Sequence, residues 1–149
     1  GLLCGPDLNA GRPLVYGAGD IVRWHNPLFG EDMRVEHWTN AAEQGALAAS
    51  NLISEAADQP RTDYAPVPFF WSEQDDRRIQ FLGRASDDDD VEIVAGSVDS
   101  RQFAALYGRA GRLRGVLGLN MPRAVMPFRR HLLDGTGFAE AIQIARAAS

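Results

Sequence analysis

A chain of 149 residues with 45% hydrophobic side chains is long enough to bury one complete core and part of a second. Its net charge of −5 and pI near 5.1 argue against a nucleic-acid or anionic-membrane partner, and no window approaches the roughly 20 apolar residues of a membrane span, so a soluble, cytoplasmic protein is expected. Cys4 is the only cysteine and all 15 basic residues are arginine, which excludes intrachain disulfides, paired-cysteine redox chemistry, all-cysteine metal sites and lysine Schiff-base chemistry.

Residues 1–13, rich in Gly, Pro, Asn and Asp, read as loop leading into a short apolar run, Leu14, Val15 and Tyr16, that is a candidate buried strand. The run ends at Gly17, Ala18, Gly19 and Asp20, small residues that let the backbone turn tightly or approach another group. Residues 24–31 read as loop. The pattern then predicts a helix over residues 39–57, with Asn40 and Glu43 at capping-box spacing. Its packing side is expected to be the small residues Ala41, Ala42, Gly45, Ala46, Ala48 and Ala49, with Leu52 and Ile53 anchoring its end. Residues 58–68, with three prolines, read as a linker.

Beyond it the apolar period becomes that of strands, over residues 78–85, 91–97, 102–107 and 113–119. Four strands in succession predict an antiparallel meander, the last two joined by a hairpin loop from Gly108 to Gly111. A helix is predicted over 122–133 and a short amphipathic one over 138–147. The fold class is therefore α+β. The aspartate run at 87–90 lacks the spacing of a calcium loop and reads as a solvated turn.

Three motifs carry chemistry. In Val15-Tyr16-Gly17-Ala18-Gly19-Asp20, a strand ending in small residues brings backbone close to a ligand, and a carboxylate there accepts hydrogen bonds from hydroxyls; an ordinary turn uses the same residues. The motif resembles the strand-turn that ends the FAD domain of two-dinucleotide-domain flavoproteins. Residues 34–45, with Arg34, Glu36, Trp38, Asn40, Ala41, Gln44 and Gly45, resemble the Arg-x-Glu-x-Trp-x-Asn-Ala-x-x-Gln-Gly signature of ferredoxin reductases serving cytochrome P450s and aromatic-ring dioxygenases. The plain alternative for His37 and Trp38 is packing at a helix start. Pro68-Phe69-Phe70-Trp71-Ser72-Glu73-Gln74 is similar to the segment opening the C-terminal domain of the same reductases.

That resemblance implies the end of an FAD-binding Rossmann-type domain over residues 1–58, a linker over 59–68 and a reductase C-terminal domain over 69–149. It implies an enzyme that passes electrons from NAD(P)H through FAD to a [2Fe–2S] ferredoxin of an oxygenase or P450 system, as a ferredoxin–NAD(P)+ reductase, with homodimerisation conceivable. On it, Gly19 and Asp20 face the ribityl chain, Glu36, His37, Trp38, Thr39, Asn40 and Ala41 form the helix start at the pyrimidine edge, and Phe70 and Trp71 shield the flavin. No residue is assigned a catalytic role and no metal ligand is expected. Neither Gly-x-Gly-x-x-Gly fingerprint is present, so pyrophosphate binding and the nicotinamide site are expected upstream and the isolated chain is expected to be inactive. The competing readings are a non-catalytic folding or dimerisation module, or the C-terminal domain of a rubredoxin reductase, a nitrite reductase component or an apoptosis-inducing-factor-like flavoprotein.

Overall fold

Val22, Trp24 and Asn26 are buried while Arg23 and His25 face solvent, the period-two pattern of a strand with one side against a core. This strand organises the first of two compact units into which the chain divides, with the boundary between Pro68 and Phe69. The computed structural model describes residues 1–148.

The first unit contains β1 (Leu2–Leu3), β2 (Asn9–Arg12), β3 (Val15–Tyr16), β4 (Val22–Asn26), β5 (Glu31–Met33) and α1 (Trp38–Ala56). β4 lies between β1, parallel to it, and β5, antiparallel to it; β2 and β3 form a separate antiparallel ribbon. Cys4, Leu8, Val22, Trp24, Met33, Val35, Ala48 and Tyr64 make its core. The stretches expected as loop, residues 1–13 and 24–31, thus hold strands. Their apolar residues are too few and too widely spaced to signal a period, and Trp24 is wholly buried in a core that includes Tyr64, whose ring lies 5.4 Å from it. The run expected to be buried is exposed instead: Leu14 and Val15 lie on the two-stranded ribbon at 50% and 46% exposure.

α1 differs from its expected form at both its start and its face. His37 is the N-cap and supplies no side-chain cap, while Asn40 lies inside the helix and donates Nδ2 back to the Val35 carbonyl at 3.0 Å. The buried face is Asn40, Gln44, Ala48 and Asn51, whereas Ala42, Ala46, Ala49, Leu52 and Ile53 are exposed. Polar side chains win the interior because each meets a fixed backbone group. Asn51, for example, donates to the Asp7 and Thr62 carbonyls at 2.8 and 2.9 Å and accepts from Thr62 N–H at 2.9 Å. These bonds lay the proline-rich segment before Phe69 along the first unit. There Trp24 Nε1 donates to the Tyr64 carbonyl at 3.1 Å and Asn26 Nδ2 to that of Pro66 at 3.0 Å.

The second unit is a five-stranded antiparallel sheet of β6 (Phe69–Gln74), β7 (Arg77–Gly83), β8 (Asp90–Ser97), β9 (Gln102–Arg109) and β10 (Arg112–Leu119), in the order β6-β7-β10-β9-β8. The α+β class and the antiparallel sheet with carboxy-terminal helices agree with expectation. The sheet holds one more strand than the pattern indicated, because three consecutive aromatics mask the alternation of β6. It is also not a pure meander, since β7 pairs with β10 rather than β8. β9 and β10 turn through Ala110 and Gly111, both in the left-handed region at φ +50° and +74°, the pairing of a tight hairpin.

The single helix expected over 122–133 is split into a 3-10 turn, Pro122–Ala124, and α2 (Phe128–Asp134). Pro127 has no N–H to continue a helix from the preceding turn, so the helix restarts after it. Gly135 in the left-handed conformation ends α2, and α3 (Phe138–Ala147) follows. The helices cover one sheet face, burying Leu82, Leu106 and Val116 against Val125, Phe128, Leu132, Ala141 and Ala145. Gly108 must lack a side chain, because a Cβ there would overlap the Phe138 ring. The aspartate run is not simply solvated: the half-buried Asp89 has a side chain 1% exposed that caps Ser86 N–H at 2.9 Å and accepts from Arg109 Nε at 2.7 Å. No group of residues among those described could hold a metal ion, and no described helix is long and apolar enough to cross a membrane.

Candidate functional site

The turn after β3 is built against the start of α1. Gly17 donates to the Leu8 carbonyl at 3.0 Å and packs on Cys4 and Val22, which leaves no room for a side chain. Gly19 has φ +78°, its carbonyl accepts from Val22 N–H at 2.9 Å, and its own N–H donates to Gln44 Oε1 at 2.8 Å. A Cβ at Gly19 would lie 3.6 Å from that of Ala41. The turn and the first turns of the helix are therefore in direct contact, with the Asp20 side chain exposed beside them.

Arg34 ties the same region together. Its Nε donates to the Asp20 carbonyl at 2.9 Å, and its other guanidinium nitrogen pairs with Glu36 Oε1 at 2.5 Å. Val35 between them is buried at 3% exposure, so the alternation of this segment sends Arg34 and Glu36 outward together. His37, the N-cap, and Thr39 are half-buried, and Trp38 projects from the helix start at 77% exposure. Asn40 is buried, its Oδ1 3.1 Å from the Tyr64 hydroxyl, which also lies 3.0 Å from Glu43 Oε2. The expected residues Gly19, Asp20, Glu36, His37, Trp38, Thr39, Asn40 and Ala41 thus occupy one neighbourhood.

Two features give this neighbourhood a chemical bias. A helix of 19 residues directs the positive end of its dipole at its amino terminus, next to the Asp20 turn. Gln44 is fully buried with Oε1 engaged, while its Nε2 has no hydrogen-bond partner among the described residues. An orphaned donor in such a place is costly unless a ligand acceptor meets it. Tyr64 was not singled out in the sequence, and Arg34 and Gln44 entered only as members of the motif over residues 34–45, with no role given to either. A signal existed for Gln44, which falls one helical turn after Asn40 on the same face. Cys4, by contrast, is an inert core residue: burial pushes its thiol pKa up, away from the reactive thiolate.

Phe70 and Trp71 lie in the second unit on β6, and consecutive strand positions face opposite ways. The Phe70 ring stacks on Phe81 at 5.8 Å, and Phe81 meets Tyr107 edge-on at 5.4 Å, on the face away from the helices. Trp71 instead stacks on Phe69 at 5.9 Å and remains 44% exposed. Burial, with the Asp89 charge adding to it, raises the Tyr107 hydroxyl pKa and keeps it a neutral hydrogen-bonding group.

Comparison with known proteins places these features in context. The family model described as Reductase C-terminal matches residues 69–148. The chain is 32% identical over 122 residues to the ferredoxin–NAD(+) reductase component of the anthranilate 1,2-dioxygenase system of Burkholderia cepacia, covering 81% of this chain and 29% of that protein. It is 30% identical over 122 residues to putidaredoxin reductase of Pseudomonas putida, covering 82% and 28% respectively. The crystal structure of Fdr9 superposes with a TM-score of 0.80 at 31% identity, over 91% of this chain and 34% of that one. The chain spans less than a third of the length of the curated relatives it matches.

Proposed function

Because this chain belongs to the Reductase C-terminal family through residues 69–148, we propose that it is the carboxy-terminal part of an FAD-dependent ferredoxin–NAD(P)+ reductase. The whole enzyme would pass electrons from NAD(P)H to a [2Fe–2S] ferredoxin of an oxygenase or P450 system in the cytoplasm. Residues 1–58 are the end of its FAD-binding domain, 59–68 the connection and 69–149 the reductase C-terminal domain. Pyrophosphate and nicotinamide binding belong to sequence upstream, and this chain alone is inactive.

One observation carries the reading: the Asp20 turn and the amino end of α1 are held side by side, through Gly19 N–H to Gln44 Oε1 at 2.8 Å and the Gly19–Ala41 contact. The residues present fit a flavin. Gln44 Nε2 is a buried donor awaiting an acceptor, Gly19 allows close approach, and an exposed carboxylate stands beside a positive helix end. When bound, the isoalloxazine supplies reversible one- and two-electron redox chemistry. Asp20 then accepts hydrogen bonds from the ribityl hydroxyls, and the helix start at Trp38, Thr39, Asn40 and Ala41 favours negative charge at the pyrimidine edge. Glu36, paired with Arg34, holds the strand that leads into this helix, and His37 closes its first turn. Of the two aromatics, Trp71 is 44% exposed, while Phe70 extends the aromatic packing of its own sheet.

Asp20→Ala in the complete protein tests this directly through the flavin-to-protein ratio after purification. Loss of flavin that Asp20→Asn partly restores supports the reading; full occupancy in Asp20→Ala overturns the assignment. Preparations of the present chain are expected to be colourless.

A further inference from the structure

On the helix-covered side of the second unit lies a cavity of about 220 Å³ that the proposed electron transfer does not use. Val94 of β8, Ala104 of β9, Phe128 of α2 and Ile144 and Ala145 of α3 supply its apolar walls. The strand geometry contributes to it. Ile93 pairs with Ala105 but Ala95 pairs with Ala104, so a bulge at Val94 turns two consecutive residues, Val94 and Ala95, toward the same space. The cavity sits under the β8–β9 edge of the sheet, whereas Trp71 is on β6 at the opposite edge.

Two polar side chains reach the lining, Arg123 on the 3-10 turn and His131 on α2, and no carboxylate does so among the described residues. Arg109, Arg130 and Arg146 of this unit pair with Asp89, Asp134 and Glu92. Arg123 has no ion-pair partner among the described residues. His131 Nδ1 is engaged with Thr136 Oγ1 at 3.2 Å, which fixes the ring and leaves Nε2 as its remaining polar atom.

The geometry points to a binding site for a small monocarboxylate with an apolar, ring-sized body, its carboxylate on Arg123. Apolar walls favour a hydrocarbon body, at about 25 cal/mol per Å² removed from water. A guanidinium with no competing anion among the described residues matches a carboxylate with two parallel hydrogen bonds. A cavity of about 150 Å³ suffices for benzene, so this one takes a single substituted ring and excludes a nucleotide or a flavin.

Titration of the isotope-labelled chain with benzoate, followed by amide chemical shifts, tests the site, with benzamide as the uncharged probe and acetate as the charge without the ring. Saturable shifts at Val94, Ala104, Phe128 and Ile144 are expected with benzoate and none with acetate. Arg123 is exposed, so Arg123→Gln should keep the native spectrum; it should weaken benzoate roughly tenfold and leave benzamide unchanged. The proposal is overturned if benzoate gives no saturable shifts up to roughly ten millimolar, if Arg123→Gln binds it as well as the parent chain, or if benzamide binds the parent chain as tightly as benzoate.

Discussion

The two units bury their chains by different means. In the second, Leu82, Leu106 and Val116 are fully enclosed between sheet and helices, and Gln80 is its only buried polar residue among those described. In the first, the one helix turns Asn40, Gln44 and Asn51 inward at 3%, 0% and 2% exposure and leaves Trp38, Ala42, Ala46, Ala49 and Ile53 outside. Those outward residues recur at helical spacing and form an apolar stripe along α1. A core of aliphatic contacts is non-directional and tolerates rearrangement. A helix held by hydrogen bonds to particular loops is accurately placed, which suits the flavin-facing role proposed for its amino end.

The largest expected break in this comparison is Leu106→Ala. Removing a fully buried leucine from the central region of the sheet should cost about 3 kcal/mol in urea denaturation, with the amides of β9 and β10 losing exchange protection first. Asn51→Ala tests the polar counterpart: it removes three hydrogen bonds to Asp7 and Thr62 and should cost about 2 kcal/mol, with the segment before Phe69 gaining protease sensitivity. A cost near zero for Asn51→Ala would show that the buried polar face of α1 is incidental.

A smaller, pH-dependent effect belongs to Glu55. The Tyr16 hydroxyl first, then Leu14 N–H and the Arg61 guanidinium, hold its pKa below the ordinary 4.5, against opposing desolvation. A carboxylate whose pKa falls on folding stabilises the native state fully above its unfolded pKa, and that contribution disappears as pH drops through the folded value. The difference in denaturation midpoint between the parent chain and Glu55→Gln should therefore be constant near neutrality and shrink as pH falls below 4.5. The smallest effect is expected for Trp38→Ala. At 77% exposure its removal should leave this chain's stability within about 0.5 kcal/mol, yet, on the proposed function, reduce flavin occupancy in the complete protein. A large stability loss would mean that Trp38 serves packing instead.

Legibility in the sequence followed the range of the signal. β7, β9 and β10 and the helix α3 were readable from periodicity, because each carries its own alternating or amphipathic pattern over seven or more residues. β4 was missed because only Val22 and Trp24 mark its buried side before Asn26, a polar residue whose burial depends on the Pro66 carbonyl. Of the candidate neighbourhood, the order of Gly19, Asp20, Arg34, Trp38 and Asn40 was visible as motif, while Tyr64, whose position depends on contacts at a distance, was not.

By itself, the sequence determined the α+β class, the change of period after the prolines and the linear order of the motifs, since all three are written in residue type and spacing. Tertiary structure alone decided that α1 buries its amides and exposes its alanines, that β7 pairs with β10, and that Asp89 lies beneath Arg109. The reason is the distance over which a polar group finds its partner. Gln44 Oε1 is met by an amide 25 residues away and Asn51 Nδ2 by a carbonyl 44 residues away. No local pattern records whether such a partner will arrive.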